Sequence, residues 1–589
     1  MAVMRWLRGA FLFPILFGTA ALLALALSML SSNVNFDEAY NLQTVDSLVD
    51  LRTYASYGAL ESTGPWRFDP HVTTGLPAAV PVAVAWWLTG GSLFSVRVAM
   101  IGFLVAYIWG CLKLLRPHAT ARSLRLQQAL VCAPVLIIGF GDLGDFRGEL
   151  PASGFAIFAL VALDRRRFAL AGVLAALAGL TKLVMAVLIP LLFIGVLVDS
   201  VRHRFRRAAI FACGALGTVA LHESFRMVTV GGWREYQISI IELRSFLQRQ
   251  RIPASASWHS LSLLSERWGS LVELATWGFF IFMLAAVAVV LFTPSGFKRM
   301  NVTGASVMPL IVGVALAPIM IAGWAFQSRA LYAAQVLPAL LIAGPAALTL
   351  LLRGLDLRRL TALSIVASSA ALAAAVSGAH FDLDPLSDRQ RALQGELATM
   401  EIGALFSNGW YQNPELQLLL GVPAVAWPTA NQVMVVGLLE GFDETGEFVS
   451  PGADAPWLAS EICGERFLVD DVELCHVRDA RLGDEGVPTV VNWGERSVEV
   501  GQVPNPQIDG QAGFWVVVEP ESRVALSPLR IRIDGRRLRG TEFSSDGSLL
   551  TALAPPTLFD DAVELTVDLE NLTTGELIPL GTIQVSETP

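Results

Sequence analysis

FLFPILFGTAALLALALSML (residues 11–30), followed at once by SSNVNFDEAY (31–40), is the stretch that decides the fold. The first segment is long enough to cross a bilayer, whose hydrocarbon core takes about 20 apolar residues. Arg5 and Arg8 precede it, so the positive-inside rule keeps the amino terminus in the cytoplasm. Asp37 and Glu38 then emerge on the far side, at the membrane–water boundary. The segment is too long for the apolar core of a cleaved signal, and the small residues at 28–32 make a weak cleavage site, so it is expected to stay as a first helix.

Working outward, the 589 residues are 54% hydrophobic and 16% charged, against about 25% charged in soluble domains. Most of the chain is therefore expected in lipid. The net charge of −9 is unevenly spread: Arg and Lys cluster in short loops of the first part, acids in the tail. No strongly basic domain exists, which argues against a nucleic-acid partner. Cys111, Cys132 and Cys213 fall in apolar stretches and read as core thiols. Cys463 and Cys475 lie close together in the polar tail. In an oxidising compartment they are expected to close a short loop as a disulfide; otherwise they are two reduced thiols.

Apolar segments recur near 10–30, 93–115, 126–141, 150–163, 168–181, 183–199, 207–222, 270–293, 303–325, 330–352 and 360–378. Every second loop between them is basic: Lys113 to Arg125, Arg165-Arg166-Arg167, Arg202 to Arg207, Lys298-Arg299 and Arg353 to Arg359. That alternation fits one consistent topology, and an odd count of crossings leaves the tail outside the cytoplasm. Residues 75–88 are apolar but broken by Pro77 and Pro81, and read as a helix lying along the interface rather than crossing. An amphipathic interfacial helix is expected around 235–249. After residue 380 the apolar runs shorten. Strand signals at 514–518, 529–533, 549–552, 563–569 and 577–585 are separated by the turns Asp534-Gly535 and Asp546-Gly547. The chain therefore reads as an α-helical polytopic membrane protein with about 11 transmembrane helices over 1–379. A mixed α/β region over 380–490 and an immunoglobulin-like β-sandwich over 491–589 follow, both extracytoplasmic.

Five places can carry chemistry. Asp37 and Glu38, charged groups beside a membrane helix, are either functional or an acidic start for a helix beginning near Ala39. His71, in Asp69-Pro70-His71, either contacts a phosphate or acceptor or belongs to a polar turn. Asp145, Arg147 and Glu149 either bind acceptor hydroxyls or a phosphate, or pair with each other. Lys182 stands alone between two apolar runs and either snorkels or binds a lipid phosphate. Arg329, in a short loop of the same face, offers a second cation to an anionic headgroup. The seven histidines are scattered without metal-ligand spacing. No Gly-rich phosphate loop follows a strand, so a soluble nucleotide donor is unsupported.

The order FDEAY (36–40), DPH (69–71), GSLFSVR (91–97), LTK (180–182), SRALY (328–332) and LPAL (337–340) resembles the GT-C superfamily of integral membrane glycosyltransferases. The closest likeness is to its protein O-mannosyltransferase and lipid A aminoarabinose transferase branch (glycosyltransferase family 39-like), over about residues 1–378. The family's His-Pro-Pro element is here Asp-Pro-His. The resemblance implies a sugar donor on polyprenyl phosphate, inversion at the anomeric carbon and an acceptor that is an envelope glycan, lipid or protein. The implied location is the plasma (inner) membrane. Asp37 would be the base, and Lys182, Arg329 and Arg147 would bind the donor phosphate. Glu38, Asp145, Glu149 and His71 would position the acceptor or shape the cavity. Some members use a divalent metal such as Mg2+ or Mn2+ and others none; the sequence does not commit to either. Two other classes stay open. A flippase or transporter of lipid-linked sugar would show paired inverted halves, which this sequence lacks; a non-catalytic envelope scaffold would depend on the tail alone.

Overall fold

The computed structural model describes residues 36–56, 66–69, 72–115, 144–199 and 203–234, with scattered positions at 23–34, 236–244, 341–342 and 391–425. In the tail it describes 433–435, 463–469, 472–477, 490–505, 512–518, 529–543, 549–561, 563–571 and 576–586. His71, Arg329 and most of the segments expected to cross after residue 240 lie outside the described residues; so does most of 11–30, although Leu23, Ala26, Leu27, Met29 and Leu30 are helical.

Helix α1 (Phe36–Asp50) begins three residues before the expected Ala39, with Asp37 and Glu38 in its first turn, where acids oppose the positive end of the helix dipole. Helix α2 (Leu76–Thr89) starts behind Gly75, tolerates a proline in its first positions and Pro81 further in, and is stopped by left-handed Gly90. Its 14 residues rise about 21 Å, short of the roughly 30 Å hydrocarbon core. Helices α3 (Leu93–Leu115), α4 (Glu149–Asp164), α5 (Phe168–Thr181), α6 (Leu188–Asp199) and α7 (Arg204–Val230) follow. Among the described residues, two stretches are long and apolar enough to cross a membrane, Leu93–Leu114 and Arg204–Val230. Between α5 and α6 the chain is extended at Lys182 and then makes a 3-10 turn, Leu183–Val187.

The contacts orient these helices. The Arg207 guanidinium lies 5.5 Å from the Phe168 ring centroid. A Cβ on Gly172 would overlap the Phe211 carbonyl, and one on Gly214 the Ala169 carbonyl. The starts of α5 and α7 are thus side by side, backbone close to backbone, as small residues permit between membrane helices. Lys113 sits over Trp109, which meets Phe158 late in α4 at 5.6 Å. Lys113, Arg165-Arg166-Arg167 and Arg204 to Arg207 therefore share one end of the helices. Glu38, Arg97, Asp145, Glu149 and Lys182 gather at the other.

Between α1 and α2, β1 (Ala55–Ser56) pairs antiparallel with β2 (Trp66–Arg67). In the tail, β3 (Leu405–Ser407) is parallel to β4 (Ala424–Val425) and to β5 (Val433–Val435). Strands β7 (Val472–Val477) and β6 (Cys463–Val469) continue that sheet antiparallel. Cys463 stands opposite Val477 and Cys475 opposite Arg466 on these adjacent strands; the cysteine side chains lie outside the described residues. Beyond them, β8 (Val490–Trp493), β10 (Ala512–Val518), β13 (Arg539–Phe543) and β14 (Leu549–Ala554) form one sheet. Strands β9 (Ser497–Glu499), β11 (Leu529–Ile533), β12 (Arg536–Arg537), β15 (Val563–Asn571) and β16 (Leu577–Ser586) form a second. Alternate residues such as Phe514, Val516, Ile531, Leu550, Val567 and Ile583 fill a single shared core, which makes the pair a β-sandwich. Asp534 (φ 51°) and Gly535 (φ 72°) join β11 to β12, the two positive φ values of a type I′ hairpin.

On this sandwich Arg537 donates from Nε and Nη2 to the Glu570 carboxylate at 2.5 and 2.6 Å. The hydrogen bond from Arg537 holds the carboxyl below its ordinary value against the opposing effect of burial. Because the folded value is depressed, the stabilisation is present above the ordinary glutamate range and is lost as pH falls through the folded value. Amide exchange of β15 in the full chain, corrected for intrinsic rates, should accelerate on going from pH 6 to below about 4. In Glu570→Gln the two rates should already be nearly alike.

Candidate active site

The site is built around a carboxylate that faces inward. Consecutive residues of a helix point about 100° apart, so the two acids of the first turn of α1 part company. Glu38 is 0% exposed. Both its oxygens take Arg97, which is 1% exposed on α3; the Nη2–Oε2 contact is 2.7 Å. Glu38 also accepts the Phe146 N–H at 3.0 Å, and Arg97 donates to the Gly144 carbonyl at 2.9 Å. Asp145 lies 3.9 Å from the same guanidinium. One buried ion pair thereby clamps α1, α3 and the loop ahead of α4.

Asp37 is half-buried and makes no hydrogen bond or ion pair among the described residues. It is the acid of the pair left open to a ligand. The other expected residues come together nearby. Arg147 pairs with Asp145 at 3.1 Å; the pairing expected for a surface occurs here with Asp145 only 5% exposed. Lys182 reaches Glu149 at 2.7 Å and donates to the Arg147 carbonyl at 2.9 Å. The backbone places Lys182 there: the Gly75 N–H donates to the Thr181 carbonyl at 2.9 Å. A Cβ at Gly75 would overlap the Leu180 carbonyl oxygen, so only glycine lets α2 start against the end of α5. Gly148, at φ 89°, lets the chain turn from Arg147 into α4, a conformation that favours glycine.

Sequence reasoning gave no site role to Arg97, Asn41, Tyr40 or Asp69. Arg97 had a signal, since a lone charge in an apolar helix demands a partner. Asp69 accepts the Tyr40 hydroxyl at 2.5 Å and the Ser56 hydroxyl, and Tyr54 donates to the Thr74 carbonyl at 2.9 Å. Burial first, then the charge of Asp69, pushes the Tyr54 hydroxyl well above its ordinary value, with Arg226 opposing. The phenol thus stays a protonated donor. Among the described residues no group of three His, Cys, Asp or Glu is arranged to hold a metal ion. Glu38, Asp145 and Glu149 are each engaged by a guanidinium or ammonium, a donor set that does not fit Mg2+ or Mn2+.

No family model and no curated protein matches the sequence. Solved structures do resemble the fold. ArnT from Cupriavidus metallidurans bound to undecaprenyl phosphate superposes with a TM-score of 0.50 at 13% identity, over 78% of this chain and 97% of that one. The apo state of ArnT from the same organism gives 0.48 at 15% identity, over 82% and 100%. The chain thus has an ArnT-like fold.

Removing one partner of the buried pair leaves an uncompensated charge, at a cost of about 3–5 kcal/mol. Arg97→Ala should therefore lower the thermal unfolding midpoint sharply. Glu38→Met combined with Arg97→Leu should recover much of the loss. Gly75→Ala should also destabilise, because a backbone oxygen cannot swing aside.

Proposed function

We propose that the chain is a multi-pass membrane glycosyltransferase moving a sugar, with inversion, from a polyprenyl-phosphate donor to an envelope glycan, lipid or protein at the outer membrane face. The observation that carries this reading is the Asp37 carboxylate, unpaired among the described residues and at the same helix end as the Lys182 and Arg147 cations. The arginine-rich opposite end supports a cytoplasmic side there and a site on the outer face; the odd count of apolar segments in the sequence supports an outer tail. The fold shared with ArnT, seen with undecaprenyl phosphate, supports a lipid phosphate as the donor headgroup.

In this reaction the acceptor hydroxyl gives its proton to Asp37. Its oxygen bonds the anomeric carbon on the face opposite the phosphate, and the carbon–phosphate oxygen bond breaks. The electron pair leaves on the phosphate, so a single displacement inverts the centre. A lipid phosphate is already a good leaving group, and no second carboxyl acting as acid is required, unlike glycoside hydrolysis. Lys182 and Arg147 stabilise the growing phosphate charge, with Arg329 assigned the same role from the sequence. Glu38, Asp145 and Glu149 hold these groups in place. No step passes through a metal. The tail sandwich contributes acceptor or partner binding.

The test is transfer by purified protein from a panel of polyprenyl-phosphate sugars. A general base contributes about 10²–10⁴-fold, so Asp37→Asn should lose that much in kcat while still binding undecaprenyl phosphate. Equal turnover by the variant and the wild type would remove Asp37 from the mechanism.

A further inference from the structure

We propose that Asn41 is a positioning residue that sets the offset between the Asp37 base and the two cations of the phosphate site; this rests on the transfer reading above. Asn41 lies one helical turn beyond Asp37 on α1, and residues four apart share a helix face. It is 0% exposed. A carboxamide offers two donors and two acceptor lone pairs, and all four are used. Oδ1 accepts the Thr73 and Thr74 N–H groups at 3.0 and 3.1 Å. Nδ2 donates to the Phe146 carbonyl at 2.9 Å and to the Thr73 hydroxyl at 3.2 Å.

These partners lead to the two cations by separate routes. Thr74 precedes Gly75, whose N–H holds the Thr181 carbonyl next to Lys182. Phe146 precedes Arg147. The cation side is also tied to itself, through Lys182 to Glu149 and to the Arg147 carbonyl. It behaves as one unit that retains its phosphate affinity, and Asn41 bolts that unit to the helix carrying the base. Glu38 takes the N–H of Phe146 and Asn41 its carbonyl, so one helix grips this residue from both sides. The bolt has to be a neutral amide: an ionised carboxylate keeps the two acceptor bonds but sets an oxygen without a proton against the Phe146 carbonyl.

The experiment compares full-length wild type with Asn41→Asp in a membrane mimic, using undecaprenyl-phosphate-linked sugars. Thermal unfolding midpoints check that both are folded. A misplacement of about 1 Å can lower a rate about 10²-fold. At pH 8 the variant should lose at least about tenfold in kcat, with donor KM within about twofold of wild type. The ratio of variant to wild-type kcat should rise as pH falls, because the introduced carboxyl regains a proton to donate to Phe146. A folded variant with wild-type kcat at every pH overturns the proposal, as does a raised KM with unchanged kcat. Should Asn41→Asp not fold, Thr73→Val, which removes one of the four bonds, is read by the same split: a several-fold fall in kcat supports the proposal and an unchanged kcat overturns it. A wild type that transfers no sugar sinks the transfer reading and this proposal together, which is distinct from an active wild type matched by its variant.

Discussion

Everything at the polar end of the helices hangs on the contact between Glu38 and Arg97. Two charges withdrawn from water are tolerated only when their hydrogen-bonding capacity is met and their geometry is good. Here the carboxylate has the guanidinium and the Phe146 N–H, and the guanidinium has the carboxylate and the Gly144 carbonyl. The starts of α1 and α3 and the loop ahead of α4 therefore have one arrangement. The neighbouring Asp37 gains its exposure from the same constraint, because burying one face of a helix turn rotates the adjacent residue outward.

The charges divide along the helices in a way that suits the proposed membrane transferase. Arginines and lysines gather at one end of the helices, Lys113 over Trp109 and Arg207 over Phe168. At the other end, cations and acids interlock, and the guanidinium and ammonium groups are held within an organised framework before any ligand arrives. Preorganisation of this sort is what electrostatic catalysis requires, since the donors need not rearrange as charge develops.

Local features were the legible ones. Proline and glycine around residues 75–81 marked the start of a short helix, alternation marked the strands from 514 to 585, and Asp534-Gly535 marked its hairpin. The acidic pair announced a helix start, displaced by three residues because Phe36 already joins the first turn. Partnerships were not legible. Glu38 and Arg97 are 59 residues apart and Asn41 and Phe146 are 105 apart; nothing in local spacing says which polar group will meet which across a packed bundle. The lone Arg97 stated a need without naming its answer. Asn41 was less visible still, since a single amide in a short helix looks like any polar surface residue until its four bonds are counted.

The glycines between α5 and α7 have a mechanical implication. With Gly172 seated on the Phe211 backbone and Gly214 on that of Ala169, the two helices interlock like the teeth of a ratchet and resist sliding past one another. At the far end of α5 the chain leaves helical geometry at Lys182 before its short 3-10 turn. The stiff strut thus ends at the residue whose side chain reaches Glu149 and the Arg147 carbonyl, so the packing of α5 on α7 fixes where that cation starts.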